Sequence, residues 1–151
     1  MDLIDLKILA ALEVEGRISF TVLGEKVGLS KTPCWSRVKE LEASGAIEGY
    51  SARISPQALG LGIRALVHVV VSFDRYQAFE DAIIQHRAVR CCHAVTGEYD
   101  YVLEVLAPDM SALDDLLRRE LSSLPGVSRF NTSITTRMIK ETGSYCGMQA
   151  Q

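Results

Sequence analysis

The sequence predicts an α+β protein in two parts: a helical N-terminal third and a following β-α-β-β-α-β unit. Two observations carry this. Apolar residues in the first fifty positions recur at helical spacing, and from Ile63 onward β-branched runs alternate with helical stretches. The 151 residues suffice for one medium domain or two small ones.

In the first part, Ile4, Ile8 and Leu12 form one stripe after Asp2, a residue suited to capping, and Gly16 ends the pattern. A second helix spans roughly Thr21 to Val27, with Val22, Leu23 and Val27 inward and Gly28 as its stop. Ser30 then caps a third helix that runs to about Ser44. Pro33 lies in its first turn, where a missing N–H costs little. Cys34, Val38 and Leu41 are its inward stripe, and Gly45 follows it.

Beyond this the period changes. Ile47 to Ile54 reads as strand-like, and Ser55-Pro56 and Leu59-Gly60 mark a turn or short helical loop. The expected organisation is a helical domain over 1–48, a linker over 49–62, an α+β domain over 63–142 and a flexible tail over 143–151. Within the third segment the expected strands are Arg64–Phe73, Val89–Thr96, Tyr101–Leu106 and Val127–Ile139. The helices are Tyr76–His86, with Phe79, Ala82 and Ile83 inward, and Met110–Leu124, with Leu113, Leu117, Leu121 and Leu124 inward. This order predicts a ferredoxin-like fold, one antiparallel sheet with both helices on one face. Its other face, expected to carry Val67, Val69 and Val71, then needs a partner.

Composition narrows the function. Apolar residues make up 48% and charged residues 23%, as in folded globular proteins. The longest strongly apolar stretch, Ala65 to Val71, falls far short of the ~20 residues that span a bilayer. Asp2 and Asp5 stand where a secretory signal carries basic residues, so a cytoplasmic protein without membrane partners is expected. A net charge of −3 excludes a globally basic nucleic-acid coat, so any such binding must come from a local face. Cys34, Cys91, Cys92 and Cys146 form no C-x-x-C pair, which points to reduced buried thiols rather than zinc or disulfides. His68, His86 and His93 lack i, i+4 spacing, and no nucleophile elbow or phosphate-binding loop is present. No catalytic residue, metal site or cofactor is expected.

The helices around Gly28-Leu29-Ser30 have the spacing of a helix-turn-helix, expected here as the winged type, whose second helix enters the major groove. Residues 30–39 contain Lys31, Arg37 and Lys39 and no acid. Lys31, Thr32 and Ser36 suit base edges. Arg37, Lys39, Arg17 and Lys26 suit phosphates, and Trp35 either contacts DNA or packs on a neighbouring helix. The competing reading is a three-helix interaction domain with a solvated cationic edge.

Several ordered motifs resemble one family. They are Ile4-Asp5, Lys7-Ile8-Leu9, Gly16-Arg17-Ile18-Ser19, Val27-Gly28-Leu29-Ser30, Thr32-Pro33-Cys34, Arg37-Val38, Leu41-Glu42 and Gly45-Ala46-Ile47-Glu48-Gly49-Tyr50. The C-terminal half adds Val95-Thr96-Gly97-Glu98-Tyr99-Asp100-Tyr101 and Leu124-Pro125-Gly126-Val127. Over about residues 2–142 the chain resembles the Lrp/AsnC (feast/famine) transcription regulators. Trp35 departs from the aliphatic residue common there, and the first residues carry no basic arm.

The resemblance implies a regulator that binds double-stranded DNA and whose assembly responds to a small amino-acid effector. It also implies a homo-oligomer, a dimer that assembles further into tetramers or octamers. The implied effector site is Thr96, Gly97, Glu98, Tyr99 and Asp100; by residue type rather than by the resemblance, the hydroxyls of Ser133 and Thr135, on one strand face, are candidates to complete the set. Asp100 supplies a charged acceptor for an ammonium, and a Gly-led turn supplies N–H donors for a carboxylate. The alternative for this segment is a plain β-turn whose Asp100 satisfies its own backbone. Two rival functions remain: a tetrapyrrole (haem-precursor) decarboxylase subunit of the same two-domain plan, and an effector-binding assembly protein without DNA activity. The cationic Lys31–Lys39 tip argues against the first.

Overall fold

The computed structural model of the chain describes residues 1–149. Its elements run α1 (Leu3–Val14), α2 (Phe20–Val27), α3 (Lys31–Ala43), β1 (Ile63–Val71), α4 (Tyr76–Ile84), β2 (Val89–Ala94), β3 (Tyr101–Ala107), α5 (Met110–Asp115), β4 (Val127–Ile134) and α6 (Tyr145–Gln149). They divide into two units, residues 1–53 with the chain from Ile139 onward, and Ile54–Met138. No helix among the described residues is long and apolar enough to cross a membrane.

The helical unit packs around Ile8, Leu23, Val27, Cys34, Val38 and Leu41, all buried. Asp2 caps α1 as expected. Its carboxylate accepts from the amides of Ile4 and Asp5, while Asp5 accepts from the Asp2 amide in return. Val22, expected inward, is exposed, because the eight residues of α2 bury only Leu23, Gly24 and Val27. Ser30 occupies the cap position of α3, but its hydroxyl makes no capping hydrogen bond.

Two further expectations change in this unit. Ile47–Ile54 contains no strand: the chain runs without a pairing partner, and Tyr50 folds back to donate its hydroxyl to Glu42 Oε1 at 3.1 Å. The segment read as a flexible tail carries α6. Glu13 of α1 accepts the Ser144 hydroxyl and the Tyr145 amide, each at 2.6 Å. These two hydrogen bonds hold the Glu13 carboxyl below its ordinary pKa. Residues 150–151 of that expected tail lie outside the described residues.

The second unit is a four-stranded antiparallel sheet in the order β2-β3-β1-β4, with α4 and α5 over one face. The covered face is the one that carries Ala65, Val67, Val69 and Val71 of β1 and Tyr101, Leu103, Val105 and Ala107 of β3. The face expected to be open is therefore the buried one. Both sets of alternate residues on β1 are apolar, so periodicity alone does not select the side. The open face carries Leu66, His68, Val70, Val102, Glu104 and Leu106.

From α4 the sheet receives Phe79 and Ile83, with Phe79 against Tyr101 at 4.7 Å between ring centroids. The second helix is not regular. After Asp115 it widens into a π turn over Leu116–Glu120, where the Leu121 amide donates to Leu116 O, and closes in a short 3-10 turn. The extra residue rephases the apolar stripe. Leu113, Leu116 and Leu121 are buried, while Leu117 and Leu124, two of the four expected inward, are only partly so.

All four cysteines are free, and only Cys34 is buried. Cys91 and Cys92 take opposite faces of β2, pairing with Glu104 and Leu103. Burial pushes the Cys92 thiol up to about 11, which keeps it protonated and unreactive at neutral pH.

Candidate DNA-reading edge and effector recess

The turn between α2 and α3 depends on two glycines. Gly28 has φ of 78°, the left-handed region that glycine enters at little cost. A Cβ on Gly24 would lie 2.6 Å from the carbonyl oxygen of Leu29, so only a glycine lets the turn lie this close to α2. The α3 that follows buries Cys34, Val38 and Leu41 and presents Lys31, Thr32, Trp35, Ser36 and Lys39 to solvent. Trp35, which sequence left between DNA contact and packing, is 47% exposed.

The cations of this edge differ in their engagement. Arg17, Lys26 and Lys31 are exposed and have no ion-pair partner among the described residues. Lys39 holds Glu42 at 2.6 Å in an exposed i, i+3 pair, a contact that contributes little and exchanges readily. Arg37 stands apart, on the flank of α3 between Asp2 and Asp5 of α1, at 2.7 Å from each.

In the α+β unit, the segment from Thr96 to Asp100 forms a loop closed by a hydrogen bond from the Val95 amide to Asp100 O at 2.9 Å. Gly97 has φ of 120°, within the region that favours glycine. Tyr99 lies against His68 at 5.3 Å, and the Arg129 guanidinium sits 5.2 Å from the Tyr99 ring centroid. Arg129 also donates to Glu98 at 3.1 Å. Glu98 and Tyr99 are thus engaged with β4 and β1, while Thr96 and Gly97 are exposed.

Asp100 shares its work with the backbone. Its Oδ2 accepts the Val71 amide at 2.9 Å, and its own amide donates to Val69 O at 2.9 Å. The carboxylate thus serves the backbone of β1, 29 positions away in the chain, and not its own turn as the plain β-turn alternative expected. Asp100 also lines a recess of about 370 Å³ with Val71, Phe73, Tyr76, Ala94, Val95 and Tyr101. Phe73 is 91% exposed at its mouth. The hydroxyl of Tyr101, a residue of the same lining, donates to Glu80 at 2.7 Å, and burial together with that carboxylate pushes its pKa far above the ordinary phenol.

Ser133 and Thr135 are not brought to this loop. Ser133 pairs with Leu66, and the Thr135 amide donates to Arg64 O, at the start of β1, whereas Asp100 meets its end. Along β1 their partners Leu66 and Arg64 lie five and seven residues from Val71, roughly 17 and 23 Å. Phe73, Tyr76 and Arg129 escape sequence reasoning. The two aromatics precede or open α4 outside its inward stripe, and Arg129 is placed only by the register of β4. His86 accepts the Ala88 amide, and His93 is exposed on β2. No group of three or more His, Cys, Asp or Glu among the described residues is placed to hold a metal ion.

Residues 1–48 match the pattern described as winged helix-turn-helix DNA-binding, and residues 64–145 match the Lrp/AsnC ligand binding domain. The chain is 40% identical over 146 residues to the proline dehydrogenase transcriptional activator of Rhizobium radiobacter, covering 95% of this chain and 94% of that protein. It is 37% identical over 145 residues to the leucine-responsive regulatory protein of Escherichia coli K12, covering 94% and 88%. A crystal structure of a transcriptional regulator from Neisseria meningitidis in complex with L-Met superposes with a TM-score of 0.91 at 35% identity, covering 94% of each chain.

The double duty of Asp100 yields a prediction. Asp100→Ala orphans the Val71 amide and lowers unfolding free energy by about 1–3 kcal/mol. Asp100→Asn keeps an acceptor oxygen and stays near the wild type. Denaturant titration of both variants measures the difference, and equal stability of the alanine variant refutes a structural role for the carboxylate.

Proposed function

The chain belongs to the Lrp/AsnC family of transcription regulators, and on that premise we propose how its two units share the work. It is a transcriptional regulator with a helix-turn-helix for DNA and an amino-acid-binding domain, and it is not an enzyme. Such a regulator works where its DNA lies, in the cytoplasm.

In this reading α3 enters the major groove. Lys31, Thr32, Trp35 and Ser36 meet base edges, and Arg17, Lys26 and Lys39 meet phosphates. The observation that supports it is the exposed cationic edge from Lys31 to Lys39 above a fully apolar inner stripe. Lys26→Ala should weaken binding equally for all sequences and reduce the slope of log affinity against log salt by about 1. An unchanged slope in fluorescence anisotropy removes Lys26 from the interface.

The effector is a small amino acid that enters the recess beside Asp100. Its ammonium meets the free side of the Asp100 carboxylate, its side chain lies among Val71, Phe73 and Val95, and its carboxylate takes N–H groups of the Gly97–Tyr99 loop with the Thr96 hydroxyl. The support is a mostly apolar recess whose one acidic lining residue is Asp100. Ser133 and Thr135 reach such a ligand only from another copy. A thermal-shift screen of the twenty amino acids should find a ligand that, at 100 times its Kd, stabilises by about 2.7 kcal/mol. Asp100→Asn should lose that shift while its own melting temperature stays near the wild type. A shift that survives the change moves the ammonium site elsewhere.

The open sheet face pairs with a second copy, giving a dimer that assembles further into tetramers or octamers. Leu66, Val70, Val102 and Leu106 offer apolar area there. Glu104 Oε1 is shut from solvent between Arg64 and Arg90, at 3.7 and 3.8 Å, without a hydrogen bond in the structure. Sedimentation at micromolar concentration should show an even-order oligomer, and Leu66→Arg should dissociate it. A wild-type monomer overturns the assignment of this face.

A further inference from the structure

Arg37 lies on the helix assigned to the groove, yet its chemistry is turned away from solvent anions. Nη1 donates to Asp2 Oδ2 and to Asp5 Oδ1, each at 2.7 Å. The opposite oxygens of the same two carboxylates close the cap of α1. Asp2 Oδ1 accepts the amides of Ile4 and Asp5 at 2.8 and 2.9 Å, and Asp5 Oδ2 accepts the Asp2 amide at 2.8 Å. Each carboxylate therefore divides between its own helix end and the neighbouring helix.

Two consequences follow from charge and geometry. One guanidinium faces two carboxylates, so the cluster is net negative and repels a phosphate. The Arg37 side chain is also 30% exposed and the Asp5 side chain 16%, so this contact is less hydrated than the Lys39–Glu42 pair. We propose that Arg37 is a positioning residue for base reading, which fixes the rotation of α3 against the capped end of α1, and not one of the phosphate contacts. The proposal rests on the reading of α3 as the groove-entering helix. It names the group that holds that helix in register.

The bridge requires ionised carboxylates. Its backbone hydrogen bonds and Arg37 hold the Asp2 carboxyl below the ordinary carboxylate range. The stabilisation from Asp2 is therefore complete above that range and is lost only as pH falls through the lowered value. At neutral pH the clamp is closed.

The test uses the full-length protein and two DNA duplexes, one selected from a random pool by the wild type and one unselected, each titrated with salt. Arg37→Met should reduce preference for the selected duplex roughly tenfold, the scale of one lost base-edge contact. Its salt slope on the unselected duplex should equal that of the wild type, whereas Lys26→Ala lowers that slope by about 1. Asp5→Asn, which removes an acid and on charge grounds alone should tighten binding, should instead reduce the same preference. The double variant should lose no more than the worse single one, because both remove one bridge.

A slope reduced by about 1 in Arg37→Met overturns the proposal, as does Asp5→Asn binding both duplexes more tightly with its preference for the selected duplex unchanged. Where Arg37→Met fails to fold, Arg37→Lys carries the same readouts, with partial loss of preference and an unchanged slope expected. Wild-type protein that selects no duplex overturns the assignment of α3 itself. That result is distinguishable, since the clamp variants then differ from it in nothing measured on DNA.

Discussion

Strand β1 is paired on both sides, to β3 over Ile63–Val69 and to β4 over Ala65–Val71, and its period of two decides what each face of the sheet does. Every second side chain lies under α4 and α5, and every other one is left on the open face. The end of the same strand supplies the Val71 amide that holds Asp100, and its middle supplies the His68 ring that supports Tyr99. The candidate effector recess, the loop beside it and the face offered to a second copy thus all take their positions from one strand. A slip of one residue would turn all of them over together.

Much of this was legible in the sequence because it depends on local periodicity. The stripes Ile4/Ile8/Leu12 and Cys34/Val38/Leu41, the cap at Asp2 and the β-α-β-β-α-β order are each set by residues close in the chain. What escaped depends on choices that periodicity does not make. Leu66 and Val70 are as apolar as Val67 and Val69, so the side that the helices cover is settled by their packing. The stripe of Leu113, Leu117, Leu121 and Leu124 is correct for a continuous α-helix, but the π turn breaks its register beyond Leu116, and Leu121 is buried over Leu116 while Leu117 and Leu124 are only partly so.

The candidate site divides along the same line. The segment Thr96–Asp100 was visible as a glycine-led turn, and the exposed edge of α3 as a run without acids. The recess lining that sets Phe73 and Tyr76 against Ala94–Tyr101, the hold of Arg129 on Glu98 and Tyr99, and the pairing of Arg37 with Asp2 and Asp5 join residues 18 to 35 positions apart. Such contacts follow from register and helix packing, which residue types alone do not report. Arg37 illustrates the difference: by composition it belongs to the cationic run of α3, and by geometry it belongs to the cap of α1.

The chain passes between its two units twice, once after Arg53 and once after Met138. On its return it is fastened to the helical unit by Arg53 on Glu141 at 2.7 Å and by Glu13 on Ser144 and Tyr145. In sequence order the α+β unit is therefore an insertion within the helical one. Exchange of sensing domains between relatives by recombination then has to respect two junctions. A chimera joined only at the linker would carry a C-terminal segment that evolved against a different α1.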